Sequence, residues 1–246
     1  MLPILHLSAK ESKIDFTSGS NNNTITKVYD LSVNGFDATN TGNIYYEEYE
    51  GIKAFAFKSQ GSTKLINTTL TASGTSSFTL ACTAASLDLS PSANNTAFFG
   101  VGGANLTGRC IATIKTGTAY NPSHTSISDA ATYNTNYDAE QKWNAYILTY
   151  DSISQNVIVY CNTMNNYISS VRALNIIAGY NMNALPATNS YGSSKGYISE
   201  AMVFNTCLTD SQINNLFQYF QKNLSASSVG GSKQNNRSPI FGRVGL

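Results

Sequence analysis

A chain of 246 residues in which 15 Lys and Arg face 14 Asp and Glu, for a formal net charge of +1, carries no basic field for nucleic acid. Only 12% of its residues are charged, and the longest apolar runs fall far short of a membrane span. Length and composition fit one large β domain of alternating strands joined by Asn-, Ser- and Thr-rich turns.

In chain order, residues 2–7 and 24–29 read as the first strands, on either side of a polar loop at 18–23. The start, MLPILHLSAKESK, has no basic leading region, and its apolar run is too short and broken for a signal peptide. Asn34-Gly35 marks a turn. Residues 52–57 alternate, with Phe55 and Phe57 on one face. Residues 64–67 follow a Gly61-Ser62 break, and 77–83 alternate again, with Phe78, Leu80 and Cys82 inward and Thr79 and Thr83 outward. Residues 97–101 and 109–115 form an expected strand pair. The stretch 116–141 reads as a long irregular loop rich in tyrosine, of the kind usually kept for function. A hairpin at 143–150 and 156–161, a strand at 174–179 and a second long polar loop at 181–195 come next.

Residues 197–205 read as a strand covered on both sides, with Ile198, Met202 and Phe204 on one face and Ala201 and Val203 on the other. Thr209 and Gln212 make a capping box. Ile213, Leu216, Phe217, Phe220 and Leu224 then recur at helical spacing, giving one apolar stripe that must be buried. No other stretch has a convincing helical pattern. The prediction is an all-β, two-sheet antiparallel sandwich over residues 1–224, with one C-terminal helix docked on it. Residues 225–246 read as an extended tail.

Three stretches carry a family resemblance. The run GYISEAMVFNTCLTDSQINNLFQYFQKNL (196–224) resembles the closing segment of laminin-G-like, concanavalin A-type jelly rolls: a strand with a glutamate, an Asn-x-x-Leu-(Ser/Thr)-Asp turn and a terminal helix. VYDLSVNGFDATN (28–40) is similar to that family's Trp-x-Asp-Leu-Ser-Gly-Asn-Gly-x-Asp-Ala-Thr segment, with Tyr29 in place of Trp and Val33 in place of Gly. WNAYILTYDSISQNVIVYCN (143–162) resembles its central hairpin. The resemblance implies the jelly-roll fold and a structural role for Glu200, paired to nearby backbone or a basic group. A buried carboxylate with a raised pKa is the competing reading. The fold alone leaves function open, since it hosts lectins, glycosidases, adhesion modules and virus-particle proteins.

Catalytic and metal motifs fail on context. Gly192-Ser193-Ser194-Lys195-Gly196 matches a nucleophile elbow, but a loop precedes it and a strand follows, and only His6 and His124 are available as bases. Asp30, Ser32, Asn34 and Gly35 imitate a calcium loop whose twelfth position, Thr41, is not the bidentate Glu required. An Asx-held turn is the default there, with calcium at a loop end as the alternative. Glu47, Glu48 and Glu50 cluster, and Glu48 and Glu50 would share a face if all lay on a strand, yet the glucanase signature is absent and a solvated edge is the better reading. The histidines are isolated, and Cys82, Cys110, Cys161 and Cys207 lack ligand spacing; Cys82 and Cys161 read as buried thiols. No cofactor is implied.

The function expected from these features is a non-enzymatic virion protein, a phage head or tail decoration made in the host cytoplasm and working within an oligomeric assembly. Its tail would join neighbouring virion proteins through Arg237, Ile240, Phe241, Arg243 and Leu246. Tyr120, Tyr133, Tyr137 and Tyr191 are candidates for holding a host-surface glycan or a protein partner. The alternatives are a soluble carbohydrate-binding lectin module and, third, a jelly-roll glycosidase.

Overall fold

The computed structural model describes residues 1–18, 23–40, 44–57, 65–71, 76–86, 95–101, 109–116, 119–125, 142–171, 179–182 and 196–226. The first strands are β1 (Leu5–Ser8), β2 (Ile14–Phe16), β3 (Ile25–Val28), β4 (Ala38–Asn40), β5 (Ile44–Tyr49) and β6 (Ile52–Phe57). Then come β7 (Leu65–Thr71), β8 (Phe78–Ser86), β9 (Asn95–Val101), β10 (Arg109–Thr116) and β11 (Ala119–Thr125). The last are β12 (Asn144–Asp151), β13 (Asn156–Cys161), β14 (Thr163–Val171), β15 (Gly179–Met182) and β16 (Gly196–Phe204), followed by α1 (Asp210–Ala226).

Period-two burial sorts these strands into two antiparallel eight-stranded sheets. One runs β14-β13-β12-β8-β16-β6-β5, with β1 also paired to β16; the other runs β11-β10-β9-β15-β7-β4-β3-β2. Between them lies the main core, including Leu5, Leu7, Phe55, Phe57, Leu80, Phe99, Tyr146, Tyr150 and Val203. The first sheet's outer face is covered by α1, where Ile213, Phe217 and Phe220 bury against Ala81, Ala145, Ile147, Met202 and Phe204. The sandwich and its docked helix are as the sequence predicts. Of the expected capping box the Gln212 half is present: its side-chain oxygen accepts from Thr209 N at 2.9 Å and from the Thr209 hydroxyl at 3.1 Å. The helix runs two residues past the expected boundary, to Ala226.

Several local expectations are corrected. β16 carries a bulge: its register against β8 shifts between Ile198 and Glu200. The extra residue, Ser199, flips the alternation. Ile198 therefore packs between the sheets with Ala201 and Val203, and only Met202 and Phe204 face the helix. The stretch 116–141 is not all loop, because 119–125 pairs with β10 as β11. β14, for which the sequence offered no reading, pairs with β13, and β2 and β4 are further short strands. The strand expected at 174–179 is described only from Gly179, running to Met182.

Turns follow local chemistry. Glu50 and Gly51, both at positive φ (51° and 79°), close the β5–β6 hairpin as a type I′ pair does. Asp30 holds the 30–37 turn: Oδ1 accepts from His6 N and Ser32 N, both at 2.8 Å, and Oδ2 accepts from Ser32 Oγ at 2.5 Å and Phe36 N at 2.8 Å. With both carboxylate oxygens taken by protein donors, the loop is an Asx turn in form rather than a cation cradle. Tyr29, where the family pattern has Trp, donates its hydroxyl to Asp15 at 2.8 Å and lies under the ammonium groups of Lys13 and Lys27. Cys82 and Cys161 are buried free thiols. Both pair with Tyr146 from opposite sides, so two strand spacings, roughly 9.5 Å, separate them and no bridge can form.

Phe217→Ala should cost about 3–5 kcal/mol, since Phe217 is fully packed under the sheet. Thr209→Ala should cost only about 1 kcal/mol; denaturant midpoints that move equally would contradict this docking of the helix. A second expectation concerns acid. Burial pushes the Asp37 carboxyl up, but hydrogen bonds from Lys27 Nζ (2.7 Å) and Asp30 N outweigh it and leave the group below its ordinary 3.8. A lowered folded-state value adds stability above the unfolded titration range, and that stability is lost as pH falls through the folded value. Asp37→Asn should therefore lower Tm at neutral pH, and the gap to wild type should close on acidification below about pH 4.

Candidate functional site

Two constellations stand on the outer face of the first sheet. The first is centred on Glu200, which the Ser199 bulge turns toward the helix and which is only 2% exposed. His6 Nε2 lies 2.6 Å from Oε2, and as the acceptor is a carboxylate, the imidazole is the donor. Oε1 accepts from Ser8 Oγ at 3.1 Å, Tyr219 OH at 3.4 Å and Asn223 Nδ2 at 3.4 Å, while Glu200 N donates to Thr83 Oγ1 at 3.1 Å. Burial, then the Glu200 charge, pushes the Tyr219 phenol well up, which keeps it a donor.

Serine, histidine and glutamate meet here in an order unsuited to nucleophilic catalysis. The carboxylate sits between the hydroxyl and the imidazole, so the histidine does not face Ser8 Oγ, and Ser8 is itself fully buried. The arrangement binds β1, β8, β16 and α1 together. It is the structural role that the family resemblance implies, with His6 as the basic partner.

The second constellation is aromatic. Tyr49, at the end of β5, stacks on Tyr197, near the start of β16, with ring centroids 4.5 Å apart and planes 15° off parallel. Trp143, just before β12, tilts against both at 6.2 and 6.4 Å and donates Nε1–H to the Tyr49 carbonyl at 3.2 Å. β6 lies between β5 and β16, so the two tyrosine strands are roughly 9.5 Å apart. Beyond Ile52, which is opposite Tyr49, β6 offers only the fully buried Ala54 and Ala56 on that face and β8 offers Ala85, which leaves the rings room to meet. All three rings stay half-exposed. Burial, then the charges of Glu50 and Tyr197, raises the Tyr49 phenol, so it too remains a protonated donor at neutral pH.

Of the tyrosines expected from the sequence, Tyr120 falls on β11, its backbone opposite Lys115. Tyr133, Tyr137 and Tyr191 lie outside the described residues, as do Arg237, Ile240, Phe241, Arg243 and Leu246. The stretches carrying Tyr133, Tyr137 and Tyr191 lead along the chain directly into Trp143 and Tyr197. The three platform rings were not singled out from sequence. The only hints were the aromatic run around Tyr45-Tyr46 and Tyr49, and a tryptophan opening a strand. Glu48 and Glu50 do not form a carboxylate pair on one strand face: Glu50 sits in the turn, and Glu48 pairs with Lys53 at 3.1 Å, both exposed. Among the described residues, no group of three or more His, Cys, Asp or Glu can hold a metal ion, and no helix is long and apolar enough to cross a membrane.

The two antiparallel sheets and docked helix resemble the jelly-roll, lectin-like fold seen in toxin-binding and glycosidase domains. No protein-family model and no curated protein matches the chain. Among solved structures it is similar to domain 4 of an extracellular arabinanase from Geobacillus stearothermophilus, in complex with arabinotriose: TM-score 0.57, 19% identity, covering 88% of this chain and 98% of that one. It is also similar to the binding domain of botulinum neurotoxin serotype G (TM-score 0.56, 14% identity) and to Trypanosoma rangeli sialidase (TM-score 0.59, 16% identity). Each of those two matches covers 90% of this chain, which spans 51% and 33% of their lengths. At these identities the likeness is one of fold.

Glu200→Ala should be strongly destabilising, by about 3–5 kcal/mol, because it strips four side-chain donors of a shared buried acceptor. Glu200→Gln should cost less, as an amide oxygen still accepts. Urea midpoints in which Gln and Ala behave alike would show that the network is not held by acceptance at this position.

Proposed function

We propose that this chain is a non-catalytic carbohydrate-binding module that holds a sugar against the Tyr49–Trp143–Tyr197 platform. The observation that carries the proposal is the platform itself: three half-buried rings, two on strands and one at the residue before β12, gathered over the small residues Ala54, Ala56 and Ala85. An aromatic face is apolar and carries a negative quadrupole, which suits the C–H face of a pyranose or furanose ring, while tyrosine hydroxyls hydrogen-bond the sugar's rim. The structural neighbour in complex with arabinotriose supports the reading by spanning nearly the same domain. The absence of catalytic geometry at Glu200 and at Glu48 favours binding over hydrolysis. The virion role expected from the sequence, with its tail anchor, draws no support from the described residues, and the neighbours named above side with the lectin alternative.

Trp143 is the chain's single tryptophan, so its intrinsic fluorescence should shift in wavelength or intensity when neutral oligosaccharides are titrated in. Tyr197→Ala keeps that reporter and should weaken binding by about tenfold, equal to about 1.4 kcal/mol. Calorimetry on Trp143→Ala should show a loss at least as large. A blank glycan array, or binding that survives both substitutions, would refute the platform.

A further inference from the structure

The corner of the sheet that holds the aromatic platform also has a charge pattern of its own. The β5–β6 register sets Glu47 opposite Ala54 and Tyr49 opposite Ile52, and leaves Glu50 and Gly51 as the turn. Glu50 follows Tyr49 directly in the chain. It is exposed, its positive φ of 51° places it in the turn, and it forms no salt bridge among the described residues. Its charge is felt at the platform: after burial, it is the next cause that pushes the Tyr49 phenol up.

The neighbouring charges are already engaged. Glu47, two residues before Tyr49, shares its outer face but has a partner of its own. Glu48 falls on the opposite face and pairs with Lys53, whose ammonium lies over the Tyr46 ring. Tyr46 in turn packs against the core between the sheets, away from the platform. Lys142, exposed just before Trp143, also has a partner. Glu50 is thus the acid left to face whatever settles on Tyr49.

We propose that Glu50 is a specificity residue of the Tyr49–Trp143–Tyr197 platform, selecting sugars without a carboxylate over uronate- or sialate-bearing ones. The inference rests on the platform reading above. An ionised carboxylate is an acceptor only: it takes a hydrogen bond from a sugar hydroxyl, but it meets a sugar carboxylate as a like charge with no proton to share. At a solvent-exposed rim such a repulsion amounts to a roughly fivefold loss of affinity, and it fades as salt screens it. The turn makes the effect local, because it holds the charge at the end of β5 where Tyr49 presents its ring.

The test is a glycan array of neutral arabino-, xylo-, galacto- and gluco-oligosaccharides beside counterparts bearing a uronate or a terminal sialate. It is read with the full chain at about 20 mM and about 200 mM salt. Wild type should bind neutral members roughly fivefold more tightly than their acidic counterparts, and the gap should narrow in the higher salt. Glu50→Gln should raise the acidic affinities by about the same factor. Glu50→Asn removes the same charge with a residue suited to positive φ, and serves if Gln disturbs the turn. Acidic glycans that bind wild type as well as neutral ones, and lose that binding in Tyr197→Ala, overturn the specificity and leave the platform standing. So does a neutral preference that neither charge variant moves. An array on which nothing binds, or on which binding survives Tyr197→Ala, overturns the platform and this inference with it.

Discussion

A carboxylate under a helix costs several kcal/mol to desolvate, and Glu200 offsets that cost with donors supplied by β1 and α1. His6 and Ser8 come from β1 and Tyr219 and Asn223 from α1, while Thr83 of β8 accepts from the Glu200 backbone N–H. Neither β1 nor α1 alone supplies all four donors. The outer face is therefore not just a greasy surface that a helix happens to cover. It has a polar lock that fixes the helix in rotation and height, and the Ile213, Phe217 and Phe220 stripe fills in around it. The backbone device behind this is one inserted residue, Ser199. Without it, the carboxylate would point between the sheets, where the core is apolar.

With the inter-sheet space filled by side chains, the sheet surface left to organise is the outer one. The outer face is divided: α1 occupies the part over β8, β12 and the second half of β16, and the aromatic platform occupies the corner over β6 and the first half of β16. Both depend on small residues in the strands beneath. Ala81 and Ala145 let the helix approach, and Ala54, Ala56 and Ala85 let two tyrosines lean together across an intervening strand. The same residue type thus makes room for a helix in one place and for an aromatic cluster in the other.

The sandwich and its helix were legible because their signals are local. Thr209 and Gln212 cap a 3.6-residue stripe, and residues such as Phe78, Leu80 and Cys82 alternate over a whole strand. The bulge was not legible, since Ile198, Met202 and Phe204 keep perfect period-two spacing that one unpaired residue silently breaks. β11 and β14 were missed because AYNPSHT and TMNNYISSV are polar strands at sheet edges, recruited by neighbours rather than by their own hydrophobicity. The platform was hidden for a topological reason. Tyr49, Trp143 and Tyr197 are far apart in the chain, and nothing in their spacing says that β5 and β16 flank a strand with Ala54 and Ala56 on its outer face. Glu200 itself stood out as a lone acid in an apolar strand, but its partner His6 lies 194 residues away.

That separation bears on how the molecule comes to be folded. β1 pairs with β16 and with no other strand among the described residues, Leu5 opposite Val203 and Ser8 opposite Glu200. During synthesis, β1 emerges before the other strands of this domain and must wait for nearly all of it before its hydrogen-bonding partner exists. Closing so long a loop is slow, though each doubling of length adds only about 0.6 kcal/mol of entropy cost. Until then Leu5 and Leu7, both destined for the core, have no sheet to join. The nascent chain thus carries an apolar segment in need of shelter, and the seam that completes the sheet is also the one that brings His6 to its carboxylate.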